Sequence, residues 1–208
     1  MSVANISTLK NKGVGRSCVV IGGGTSVLNI DKSILNGEHD VWCVNVIKPP
    51  IEQKNVNYLI YNDQSARDKI KKMSIDDDIT VISNSKSQCD RVNIAYGDAF
   101  IRRLFLKTKA FEDTGTSTGM KCVAICAFLM RYNKVFLVGF DYYTSEKDGK
   151  VAMHYHPDDE YYPSDRVLQT QLKHMKQHLL DWECVDWSNA PVYNLNKNSA
   201  LRVFPFAQ

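Results

Sequence analysis

Five runs of strand length and nearly uniform apolar character recur along this chain, with helix-length spacers between them. They are "CVVIG" (18–22), "DVWCVNVI" (40–47), "NYLIYN" (57–62), "ITVISN" (79–84) and "KVFLVGFDYY" (134–143). A strand with one wet face alternates apolar and polar residues. Runs this apolar predict strands covered on both faces, as in a parallel sheet layered with helices. A sixth strand is expected at "ECVDWS" (183–188).

Between the fourth and fifth runs, "TGMKCVAICAFLMRYN" is apolar nearly all round and predicts a buried helix. Ser164 opens a second helix, amphipathic, with Leu168, Leu172, Met175 and Leu179 on one stripe. The chain carries no repeat, low-complexity tract or Gly/Ser linker, so its 208 residues read as one α/β domain, 1–208, with a doubly wound, mostly parallel sheet. In such sheets ligands bind beyond the carboxyl ends of the strands, where strand order reverses. A motif just after a strand therefore qualifies for a site, and one just before a strand does not.

Bulk properties narrow the partners. A hydrophobic content of 44% supports a substantial core, and 26 basic against 23 acidic residues give only +3. That surplus is too small and too scattered to indicate nucleic acid. The densest basic stretch, "RRLFLKTK" (102–109), is interleaved with apolar residues and reads as a solvated face. The N-terminus lacks the apolar centre of a signal peptide, and no window suits a membrane span, so a cytoplasmic location is expected. Of six cysteines, four lie inside apolar runs. Cys122 and Cys126 stand one helical turn apart with no matching second pair, so they read as core residues and not as a zinc site.

The stretch "IGGGTSVLNID" follows the first strand directly. Gly22, Gly23 and Gly24 permit close backbone approach, and Thr25 and Ser26 add hydroxyls where a helix is expected to begin, the usual setting for a phosphate. A dinucleotide is disfavoured: Val27 stands where the third glycine belongs, and Asn45 stands where an acidic residue would hold a ribose. A P-loop is excluded because no lysine follows the glycines. "DTGTSTGMK" sets Thr116, Ser117, Thr118 and Gly119 at the first turn of the buried helix, a second anion seat. Asp141 lies at the carboxyl end of the fifth strand, able to hold a ribose or acceptor hydroxyl. Tyr142 or Tyr143 beside it could donate to an anionic oxygen. "TSEKDGKV" reads as a hairpin turning at Asp148-Gly149. "MHYHPDDEYYPSD" carries His154 and His156 in a Pro-punctuated loop, where a near-neutral imidazole suits a general base. Asp76 and Asp78 have the Asp-x-Asp spacing of metal-binding transferases but precede their strand, on the unsuitable edge.

Taken in order, "IGGGTSVLNID", Asn45 in "CVNVI", "TSTGMKCVAICAFLMRYNKVFLVGFDYY" and "VYNLNKNSALRVFP" make the chain resemble the bacterial sialyltransferases that use CMP-activated sugars. The wider group takes in bacterial and phage proteins and the archaeal 6-hydroxymethylpterin diphosphokinases. The resemblance implies a Rossmann-like, GT-A-variant nucleotide-binding domain with a lid at about 144–163. It implies that Gly24, Ser26, Asn45, Ser117, Thr118 and Gly119 hold the CMP part of a donor, that Tyr143 and Tyr155 stabilise the leaving phosphate, and that His154 or His156 takes the proton from the acceptor. It further implies chemistry without a metal. Where the sialyltransferases have Gly-Pro, this chain has Gly24-Thr25.

The expectation is an inverting, metal-independent transfer of a sugar from a CMP-type nucleotide donor to an acceptor hydroxyl on a small molecule or glycan. Two alternatives stay open. One is a phosphotransferase or diphosphokinase of the same fold needing Mg²⁺, with Asp141, Asp158 or Asp159 as ligands. The other is a nucleotide-binding protein without catalysis. A homo-oligomer is possible under each.

Overall fold

The computed structural model describes residues 3–84, 91–104, 117–142, 145–147, 150–152 and 165–207. Eight parallel strands form one open sheet: β1 (Ala4–Asn5), β2 (Ser17–Ile21), β3 (Asp40–Val44), β4 (Tyr58–Tyr61), β5 (Thr80–Asn84), β6 (Ile94–Tyr96), β7 (Lys134–Val138) and β10 (Val192–Asn194). Their order across the sheet is β1-β6-β5-β4-β3-β2-β7-β10. From β2 the chain steps outward strand by strand to β6, then returns so that β7 pairs with the opposite side of β2. The order therefore reverses between β2 and β7, and the ligand crevice of such a sheet opens there. A separate antiparallel pair, β8 (Ser145–Lys147) and β9 (Lys150–Ala152), sets Lys147 opposite Lys150; the turn expected at Asp148-Gly149 lies outside the described residues.

Side chains alternate between the faces of a strand, and here both faces are dry. On one side Cys18, Val20, Trp42, Val44, Ile60 and Ile82 join a core. It is covered by α2 (Asp98–Leu104), α3 (Thr118–Ala124, continuing as π-helix Ile125–Met130), the last turn of α4 (Asp165–Glu183) and the C-terminal segment. On the other, Val19, Ile21, Val41, Cys43, Leu59, Tyr61 and Val81 pack beneath α1 (Gln64–Lys72) and two 3-10 turns, Thr25–Asn29 and Lys32–Leu35. α3 is buried all round, as its composition predicts. Along α4, Leu172, Met175 and Leu179 are only half-buried, and Leu180 is exposed. Among the described residues no helix is long and apolar enough to cross a membrane. Cys18, Cys43, Cys122 and Cys126 are buried and free, and burial pushes the thiols of Cys18, Cys43 and Cys126 up.

Three expectations need correction. Residues 183–188 form no strand: α4 runs to Glu183, a turn follows, and the last strand is β10. Trp182 and Trp187 pack tilted against one another and edge-on against Phe204, so the apolar alternation there serves an aromatic cluster. The strand expected over 40–47 stops at Val44 because Asn45 takes a left-handed φ of 70°, and that over 134–143 stops at Val138 because Gly139 has φ 73°. Finally, β1, β6 and α2 were not foreseen.

The amino edge of the sheet is closed by a buried polar network. Asp40, 2% exposed, accepts a hydrogen bond from the Tyr132 hydroxyl (2.5 Å) and an ion pair from Arg16. Trp42 Nε1 in turn donates to the Tyr132 oxygen at 3.4 Å. Tyr132→Phe strips one donor from a buried carboxylate and the acceptor from a buried indole, at an expected cost of about 1–3 kcal/mol in equilibrium denaturation. An unchanged midpoint would show that the network bears no load.

Candidate functional site

The glycine turn leaves β2 alongside the end of β7. Gly22 N–H donates to Val138 O at 2.8 Å and Gly24 N–H to Gly139 O at 2.8 Å, so the two chains stay paired beyond the sheet. A Cβ on Gly22 would lie 2.5 Å from Gly139 O, and one on Gly139 would lie 2.6 Å from Val27 and 2.8 Å from Gly22 O. These glycines are needed so that two backbones can touch. Thr25 begins a 3-10 turn and not an α-helix, which corrects the expectation of a helix N-terminus at this loop.

Ser26 and Asp141 hold each other. Ser26 N–H donates to Asp141 Oδ2 at 2.8 Å, and Ser26 Oγ donates to Asp141 Oδ1 at 2.5 Å while accepting from Gly139 N–H at 3.1 Å. Asn196 Nδ2 adds a third donor to Asp141 at 2.8 Å. Gly24 is required at this point, since its Cβ would sit 2.5 Å from Asp141 Oδ2. The backbone N–H groups of half-buried Gly23 and Thr25 have no partner among the described residues.

The second seat lies on the far side of one ring. Ser117 Oγ caps α3 by accepting from Met120 N–H at 3.2 Å. The first amides of a helix, here those of Thr118 and Gly119, have no intrahelical acceptor. A Cβ on Gly119 would lie 2.8 Å from Phe140 Cε1, and one on Gly22 would lie 3.2 Å from Phe140 Cδ2. The buried Phe140 ring is thus held between the glycine turn and the α3 cap. Tyr142, with φ 53°, ties this rim to α4: Trp182 Nε1 donates to its hydroxyl at 2.7 Å, and Ser117 bonds it too. Burial pushes the Tyr142 phenol up to about 12, opposed by those two hydrogen bonds.

By continuation of the β2–β3 register, Gly23 stands level with Asn45. Asn45 Oδ1 is buried with no hydrogen-bond partner among the described residues, and its left-handed backbone concentrates strain at a strand end. The row continues along the carboxyl edge in residues that sequence reasoning missed. Asn62 follows β4 and accepts from Tyr96 OH at 3.3 Å; Asn84 closes β5 and donates to Asp98 Oδ2 at 2.9 Å. Lys121, 5% exposed, reaches Asp98 Oδ1 at 3.0 Å. Asparagines ending successive strands were the available signal; the Lys121–Asp98 pair left none. Asp76 and Asp78 are exposed at the amino end of β5, and among the described residues no group of metal-ligating side chains gathers. Tyr143, His154, Tyr155, His156, Asp158, Asp159 and Thr116 lie outside the described residues.

Tyr142 carries two expected outcomes. A phenol that loses its proton near 12 when folded, against about 10 unfolded, favours the folded state fully below pH 10. That stabilisation disappears as pH rises from 10 through 12, and Tyr142→Phe should flatten this part of the alkaline unfolding curve. The same substitution leaves Trp182 Nε1–H without its acceptor, at about 1–3 kcal/mol by chemical denaturation at pH 7.

No protein-family model matches the chain, and no curated protein matches it by sequence. Among solved structures it is similar to the sialyltransferase CstII from Campylobacter jejuni, solved with the substrate analogue CMP-3FNeuAc. Identity is 14%, the TM-score 0.48, and the match covers 92% of this chain and 86% of that one. It is also similar to a mammalian sialyltransferase solved with Gal-beta-1-3GalNAc-ortho-nitrophenol, at 13% identity and a TM-score of 0.46, covering 86% of this chain and 68% of that one.

Proposed function

We propose that this protein is a glycosyltransferase-like enzyme that binds a nucleotide-activated sugar of the CMP type at the β2–β7 switch point and transfers the sugar, with inversion, to an acceptor hydroxyl. The observation that carries the reading is Asn45: a buried side-chain oxygen on a left-handed residue, level with the Gly23 amide at the switch point, both without a partner among the described residues. A nucleotide supplies what both lack, donors for the oxygen and an anion for the amides of Gly23 and Thr25. The cap at Ser117, Thr118 and Gly119 offers further amides across Phe140. The resemblance of the motif series to CMP-dependent sialyltransferases supplies the donor type.

In the proposed reaction the acceptor oxygen attacks the anomeric carbon as the bond from that carbon to the phosphate oxygen breaks. The electron pair leaves with the nucleotide phosphate, which amides and the hydroxyls of Tyr143 and Tyr155 stabilise. His154 or His156 takes the acceptor proton. No resident metal is required.

Thermal unfolding with CMP, CDP, UDP and ATP tests the binding step. CMP at a hundred times its Kd should stabilise the protein by about 2.7 kcal/mol, with or without EDTA. Asn45→Gly, which keeps the left-handed backbone open to it, should weaken that effect by about 0.5–1.5 kcal/mol, the worth of a hydrogen bond between neutral groups. Stabilisation by ATP only with Mg²⁺ would favour phosphoryl transfer instead. For chemistry, one of His154→Ala and His156→Ala should lower turnover by about 10²–10⁴-fold and leave CMP binding intact; loss in neither removes the assigned base.

A further inference from the structure

We propose that Asp141 is a positioning residue, setting the shape of the glycine turn through Ser26 while Asn196 of the C-terminal segment holds it in place. The inference rests on the nucleotide-binding reading of that turn. It also replaces the ligand role that the sequence suggests for Asp141 and Ser26 with a role in each other's placement.

The donor set requires a carboxylate. Asp141 is 2% exposed, and among the described residues no cation pairs with it. Ser26 N–H, Ser26 Oγ–H and Asn196 Nδ2–H all point at its two oxygens. An asparagine there would turn an NH₂ group toward one of these donors. A buried, unpaired carboxylate is expensive unless every hydrogen bond is made, so the charge is retained for what it orients. Ser26 is the residue after Thr25, and its N–H and hydroxyl both end on Asp141; the turn that presents the Gly23 and Thr25 amides is fixed from this one carboxylate.

The C-terminal segment fixes the carboxylate in turn. Asn196 Oδ1 accepts from Asn198 N–H at 3.0 Å, which sets the amide so that Nδ2 faces Asp141. Ala200 N–H donates to Asp141 O at 2.8 Å, and Ser199 Oγ donates to Phe140 O at 2.6 Å while accepting from Leu201 N–H at 3.0 Å. The "NLNKNSAL" segment is thereby knitted to the end of β7, which gives the C-terminal motif a physical task. It shapes a binding turn in which it supplies no ligand contact.

Two changes of charge test this. Asn196→Asp sets two acceptor-only carboxylates against each other, and like charges this close cannot both ionise cheaply. CMP affinity of N196D at pH 7.5 should fall about tenfold, a typical coupling between touching neighbours, and recover toward pH 5 as the pair shares a proton. Asp141→Asn, which turns an NH₂ group toward a Ser26 donor, should lower CMP affinity at pH 7.5 to a similar extent. Unaltered affinity in N196D or in D141N, each as folded protein, overturns the proposal. Backbone amide resonances of Gly23 and Thr25 give a readout independent of ligand: they should move in N196D and in D141N. If the unaltered protein binds no nucleotide, the functional reading falls and these resonances still decide the positioning role. Should N196D not fold at pH 7.5, Asn196→Ala removes one donor without adding charge, and unmoved Gly23 and Thr25 resonances there overturn it equally.

Discussion

The structure turns on a contact between two backbones. Beyond the sheet, the ends of β2 and β7 run on against each other with Gly22 and Gly139 so close that neither tolerates a Cβ. This is where strand order reverses, the point at which the crevice of such a sheet opens. Asp141 completes the arrangement. It gathers the glycine turn on one side and the C-terminal segment on the other, although residues 26, 141 and 196 are far apart in the chain.

The two edges of the sheet use buried polar groups differently. At the amino edge, Asp40, Arg16, Tyr132 and Trp42 satisfy one another. At the carboxyl edge the groups are mutually engaged in part, through Asn62–Tyr96 and Asn84–Asp98–Lys121, yet the Asn45 oxygen and the amides of Gly23 and Thr25 remain without partners among the described residues. Unpartnered polar groups at the carboxyl edge lie where the proposed ligand would enter.

Much of the fold was legible because burial on both faces leaves a plain trace: β2, β3, β4, β5, β7 and α3 all come from runs too apolar for anything exposed. β1 and β6 were not, being two and three residues long and carrying too few side chains for a pattern. The segment 183–188 misled because Trp182, Val185 and Trp187 pack into one apolar cluster with a spacing that imitates a strand. At the carboxyl edge the sequence suggests ligand contacts for residues that the structure engages with one another. Gly24, Ser26 and Asp141 are residue types that grip ligands, and here they grip each other; a residue's type is written in the chain, its partner is not. Lys121 was invisible for the same reason, since only the folded chain brings it to Asp98.

The most direct test of this account is a crystal structure of the protein with CMP. The account predicts the phosphate against the amides of Gly23 and Thr25, with Asn45 Oδ1 accepting a hydrogen bond from the nucleotide. A nucleotide bound away from the β2–β7 crevice, or a crevice that stays closed with CMP bound elsewhere, would contradict it.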